Sequence, residues 1–201
     1  MDQGVYINLI ISSVLDNLIY GGILAILILL VFLKSLKPTL VIAFSIPISL
    51  LFAIVLMYFS GVTLNIISLS GLALGVGMLV DNSIVVIENI YRLRNQGINK
   101  FKAAVIGAKQ VSGAIFASTL TTICVFLPIV FTEGLTRELF SDMGLTIAYS
   151  LIASLIVALT LVPCMASNLL SKVDEKSHPL FDKMVNTYEK LLKLCLKFKF
   201  V

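Results

Sequence analysis

Apolar residues in this chain gather into five runs, at residues 18–34, 39–59, 64–90, 103–131 and 139–170, parted by short stretches that carry most of the charges. A helix rises 1.5 Å per residue, so a run of about 20 residues crosses a hydrocarbon core of about 30 Å, and all five are predicted as membrane spans. Pro38 favours a turn after the first, Pro47 predicts a kink inside the second, and Gly61 to Thr63 reads as a tight turn. The stretch YRLRNQGINKFK is expected to be a polar loop, and TEGLTRELFSD an acidic connection whose Glu133, Glu138 and Asp142 are solvated.

The two ends of the chain follow a different pattern. Residues 1–17 interleave Asp2, Asn8, Ser12, Ser13, Asp16 and Asn17 with apolar positions, which predicts a short lead-in helix outside the bilayer. Residues 171–201 read as a linker followed by an amphipathic helix. Leu180, Phe181, Met184, Val185, Tyr188, Leu191, Leu192 and Cys195 recur at helical spacing, with Lys183, Lys190, Lys193 and Lys197 on another face. This helix is expected either to lie on the cytoplasmic surface with its lysines towards lipid headgroups, or to pack on protein outside this chain.

Composition agrees with the pattern. Of 201 residues, 59% are hydrophobic and 13% charged, and the mean hydropathy is +1.05, which marks an all-α integral membrane protein with membrane lipids as its surroundings. The net charge of +4 does not point to nucleic acid, because the basic residues flank apolar runs where membrane topology accounts for them. Lys34 and Lys37, then Arg92, Arg94, Lys100 and Lys102, then Lys172 and Lys176 follow the first, third and fifth runs. That asymmetry puts the N-terminus outside and the C-terminus in the cytoplasm. Cys124, Cys164 and Cys195 have no spacing that suggests a disulfide framework or a metal site, and MDQGVYINLI lacks the basic start of a signal peptide.

The chemistry concentrates in GLALGVGMLVDNSIVVIENIYR, residues 71–92. An aspartate at the centre of a membrane helix costs roughly 2.5–3.5 kcal/mol on insertion scales, so Asp81 is expected to face the bundle interior and to mark an ion or proton path. On a helical wheel Gly77, Asp81 and Glu88 share one face, while Gly71, Gly75 and Asn82 share a neighbouring one. Gly71, Gly75 and Gly77 are expected to let another helix approach. No lysine or arginine lies at the depth of Asp81, since Lys109 falls near the cytoplasmic end of its run. The acid is therefore either neutral at rest, because burial disfavours its charge, or paired with a cation from outside this chain. The plainer alternative makes Asp81 and Asn82 interhelical glue only.

Other polar residues read more simply. Glu88, one turn before Arg92, is expected to form a salt bridge or a headgroup contact rather than to act as a relay. Ser118, Thr119, Thr121 and Thr122 are expected to satisfy their own backbone, and His178 to have no catalytic or ligand role. An intramembrane aspartyl protease would need a second carboxylate at matching depth, and none is present in the sequence, so no enzymatic activity is expected. A non-transporting scaffold is the third reading.

GVGMLVDNSIVVIENIYR with its basic loop, then ASTLTTICVFLPIVF and LIVALTLVPCMAS, resembles the resistance-nodulation-division (RND) multidrug efflux permeases of the hydrophobe/amphiphile branch. The resemblance covers nearly the whole chain and corresponds to about the second to sixth transmembrane helices of the N-terminal half. It implies a proton-coupled drug antiporter of the bacterial inner membrane, driven by the proton-motive force without a bound cofactor. It also implies a homotrimer, an adaptor protein as partner, an extracytoplasmic porter domain and a C-terminal half carrying a lysine beside the acids. None of those parts lies in these residues, so the chain is expected to be a fragment inactive alone. The family usually places two adjacent aspartates where this chain has Asp81 and Asn82. Only Asp81 carries over as the proton-binding residue, which leaves the stoichiometry, and the choice of proton or sodium, open. Relatives that move lipids or assist protein export share the resemblance.

Overall fold

The computed structural model describes residues 12–13, 16, 19–30, 35–169, 188–190 and 192–193, with the side chains of 135–136 and 138–139 aside. Every regular element among them is a helix: α1, Ile19–Leu30; α2, Leu36–Phe59; α3, Ile66–Asn95; α4, Lys100–Val130; and α5, Leu135–Leu169. The last four are long and apolar enough to cross a membrane, and α1 is shorter over its described residues. The molecule is an all-α membrane bundle. Most of the lead-in lies outside the described residues, as do residues 170–187, which hold the linker, His178 and the start of the tail helix, and most of the rest of that helix. Within the tail, Lys193 pairs with Glu189 at 2.6 Å on the exposed surface.

Helix ends show why the connections are shorter than the charge pattern suggests. Residue Gly61, at φ 73°, follows α2; its N–H bonds the Tyr58 carbonyl and that of Val62 bonds Met57, a paired closure that satisfies the last carbonyls. The same motif ends α3, where Gly97 at φ 85° donates to Arg94 and Ile98 to Leu93. Only residues 96–99 link α3 to α4, so most of the expected basic loop is helix. Arg92 and Arg94 sit in the last turn of α3, where cations favour the helix dipole. The acidic connection is corrected likewise, since Gly134 at φ 78° leads straight into α5. Pro47 lies within an unbroken α2.

Helices α3 and α5 form a central pair, each packed on α2 to one side and α4 to the other. Asn65 begins α3 with a capping box: its side-chain oxygen accepts from the Ile67 and Ser68 N–H groups, and Ser68 Oγ accepts from the Asn65 N–H. The Asn65 amide then donates to Asp142 Oδ2 of α5 at 2.7 Å, so Asp142 is a partner in a helix–helix contact and not a residue of a solvated loop. Deeper in the bundle Gly71 and Gly75 meet α5. A Cβ on Gly71 would lie 3.0 Å from the Met143 carbonyl oxygen, and one on Gly75 3.0 Å from Ser150 Cβ. Gly107 of α4 approaches Ile90 of α3 as closely. Core residues Val41, Ile42, Val86, Ile87, Ile90, Ala158 and Val162 fill the space between.

Helix α4 is the least enclosed. Of its most apolar stretch 11% is buried, against 39%, 56% and 50% in α2, α3 and α5. Its outer face is left to lipid or to further protein.

Candidate functional site

Asp81 is the sixteenth of 30 residues in α3, so the acid sits at the midpoint of a helix about 45 Å long. Successive side chains on a helix are turned by about 100°, and that offset decides what 81 and 82 can do. Asn82 points into the packed side: it is 8% exposed, and its amide donates to Thr119 Oγ1 of α4 and Ser154 Oγ of α5, each at 3.3 Å. Ser154 donates in turn to the Leu79 carbonyl at 2.8 Å. Next to it the buried Ser83 accepts from Ser45 of α2 at 3.2 Å. This one level of α3 thus carries polar contacts to three other helices, in a region where a lone polar group would be costly.

Asp81 lies on the other side. It is exposed and borders a cavity of about 610 Å³ formed by α1, α3 and α4 with Leu151 of α5, whose lining includes Gly21, Gly77, Ser118, Thr119 and Thr122. Asp81 thus faces a cleft between neighbouring helices, while Asn82 holds the packed position. Among the described residues no hydrogen bond or ion pair reaches the Asp81 carboxylate. Lys109 lies at the level of Asn89, because Asn89 bonds Gly107 and Gln110 of the antiparallel α4. Eight helical residues separate 81 from 89, about 12 Å along the axis.

The remaining predicted residues divide between the two faces. Gly71 and Gly75 lie in the α5 contact, whereas Gly77 has nothing within 4 Å among the described residues and lines the cavity. Packing therefore involves the first two glycines and not the third. Glu88 is exposed and forms no salt bridge with Arg92. The guanidinium instead donates to Asn89 Oδ1 at 2.7 Å, since Asn89 is already fixed in the α3–α4 contact while Glu88 points away from it. Of the small polar residues of α4, Ser118, Thr121 and Thr122 bond their own helix backbone as expected; Thr119 does not, and joins Asn82. Sequence reasoning missed Thr119, Ser154 and Ser45 as partners, because a hydroxyl in an apolar helix carries no mark of which helix it will meet. No group of three or more His, Cys, Asp or Glu side chains capable of holding a metal converges among the described residues.

The arrangement offers one carboxyl, at mid-helix depth, on the wall of a cleft, beside a neutral amide that ties three helices together. A carboxyl there can alternate between a neutral form that tolerates a dry cleft and a charged form that demands water or a cation. Comparison with known proteins agrees with the motif: the profile of the AcrB/AcrD/AcrF family matches residues 1–201. The chain belongs to that family, the RND permeases. It is 37% identical to the swarming motility protein SwrC of Bacillus subtilis (strain 168) over 210 residues, covering all of this chain and 20% of that protein. It is 33% identical to the multidrug resistance protein MdtC of Pectobacterium atrosepticum over 178 residues, 89% of this chain and 17% of that protein. An uncharacterized transporter of Haemophilus influenzae is 31% identical over 97% of this chain and 20% of its own length. This RND chain thus spans about a fifth or less of the length of the curated relatives it matches.

Proposed function

We propose that this chain is a membrane-embedded part of a proton-coupled RND exporter, and that Asp81 is the group that takes up and releases the proton. The single observation behind this reading is the position of Asp81 at the midpoint of α3, facing a cleft while Asn82 is held in the bundle. A proton moving through a field of 100 mV supplies about 2.3 kcal/mol. Its binding at Asp81 removes a charge from the cleft, and that change favours one packing of the cleft walls over another. Because α1 and the Ser118, Thr119 and Thr122 side of α4 border the cleft with α3, α1 and α4 are the walls that respond.

In this reading a cation facing Asp81 comes from the C-terminal half of the parent permease, whose porter domain takes the exported compound in a homotrimer joined by an adaptor protein. The parent lies in the bacterial cytoplasmic membrane with the basic ends of α3 and α4 in the cytoplasm, in keeping with the placement of Arg92, Arg94, Lys100 and Lys102. Export of drugs draws on the multidrug resistance name of the Pectobacterium relative. With Asn82 beside it, Asp81 is the one titratable carboxyl at this depth among the described residues, which suits one proton per cycle through this half.

The test is Asp81→Asn in the full-length protein carrying these residues, expressed in an efflux-deficient host. Export is expected to fall to the level of the host without the protein, at unchanged membrane abundance. Undiminished export by the variant would favour a scaffold. Family members that move lipids or assist protein export would lose activity in the same way, and are told apart by the substrate whose export disappears.

A further inference from the structure

A second cavity lies outside this site, in the groove between α4 and α5 near the basic end of the bundle. Its volume is about 320 Å³, and its lining includes Val105, Ala108, Lys109, Ser112, Leu159 and Pro163. Lys109 is exposed, and no hydrogen bond or ion pair engages its ammonium among the described residues. Pro163 has no N–H, so the Leu159 carbonyl one turn earlier loses its helical donor, and both residues border the cavity. Ser112 donates its hydroxyl proton to the Lys109 carbonyl at 3.0 Å, which leaves its oxygen able to accept. One cavity therefore gathers an unpaired cation and two acceptors, with apolar walls.

Depth identifies what such a set would meet. Lys109 is level with Asn89, about 12 Å along the helix from the midpoint of α3. With a hydrocarbon core of about 30 Å centred there, the lysine reaches the boundary between acyl chains and headgroups, where lipid phosphates lie. We propose that the Lys109 cavity is a binding site for an anionic phospholipid with a hydroxylated headgroup, of the phosphatidylglycerol kind. The phosphate sits against the Lys109 ammonium, the headgroup hydroxyls donate to the Leu159 carbonyl and Ser112 Oγ, and an acyl chain lies along Val105 and Ala108. Charge selects this occupant: a zwitterionic headgroup would set its own cation beside an already unpaired lysine. The site depends on the membrane bundle alone and not on the role of Asp81.

Native mass spectrometry of the full-length protein, titrated with phosphatidylglycerol or phosphatidylcholine, tests the proposal. Lys109→Gln is expected to weaken phosphatidylglycerol binding about fivefold, the effect of one lysine near an anionic surface, and to leave phosphatidylcholine binding unchanged. Lys109→Arg should restore the preference. In the otherwise unaltered protein, a photo-crosslinking amino acid at Val105 should capture phosphatidylglycerol in preference to phosphatidylcholine. Equal capture of the two lipids, or an undiminished preference in Lys109→Gln, would overturn the assignment.

Discussion

The two sides of α3 are made of the same kinds of residue and do opposite things. On the closed side Gly71, Gly75, Asn82 and Ser83 bring α2, α4 and α5 into contact; on the open side Gly77, Asp81 and Glu88 touch little among the described residues. A glycine on the first side is a packing requirement, whereas Gly77 on the second is part of a cavity wall. A polar group on the first side is fixed by partners on other helices, whereas the carboxyl on the second meets no hydrogen-bond or ion-pair partner among the described residues. About 100° of helix rotation thus separates a side chain that ties three helices together from one that faces a cleft.

Bulk added to the closed side should break this contrast most severely. Gly107→Leu and Gly75→Leu are expected to abolish recovery of monodisperse protein from detergent, and Gly107→Ala, whose Cβ would fall 2.8 Å from Ile90 Cγ1, to cost about 1–3 kcal/mol. Thermal unfolding in detergent reads this. On the open side Gly77→Ala should be neutral or stabilising by about 0.4–1 kcal/mol, because its Cβ meets nothing among the described residues and the unfolded chain loses freedom. A destabilised Gly77→Ala would show that this face is packed against protein.

Smaller effects sharpen the comparison. A double-mutant cycle of Asn82→Ala with Thr119→Val should give a coupling of about 0.6 kcal/mol, typical of interhelical hydrogen bonds in membranes; additive losses would show that the two side chains act separately. Glu88→Gln should change stability by less than about 0.5 kcal/mol and leave export unaltered, since Arg92 is engaged by Asn89. Loss of export in that variant would restore Glu88 as a relay.

The register of α3 was legible in the sequence because a 3.6-residue period sorts positions 71, 75 and 82 from 77, 81 and 88 without knowledge of any other helix. Which of the two sides would be closed depended on residues far along the chain, such as Ser154 and Thr119, and was not legible. The same distance hid Asn65–Asp142, a pair 77 positions apart, and led Asp142 to be read as solvated. Local charge misled at Arg92 as well: Glu88 is its nearest acid in sequence, yet Asn89 was already oriented by Gly107 and Gln110. Helix ends ran past the apolar runs because charged residues can continue a helix beyond the hydrocarbon, as Arg92 and Arg94 do.

The central claim, that Asp81 carries the coupling proton, is tested most directly by proton flux in proteoliposomes of the full-length protein with a pH-sensitive dye inside. Addition of an exported substrate should drive proton movement in the unaltered protein, with sodium replaced by potassium making no difference, and none in Asp81→Asn. Equal flux from the two proteins would contradict the account.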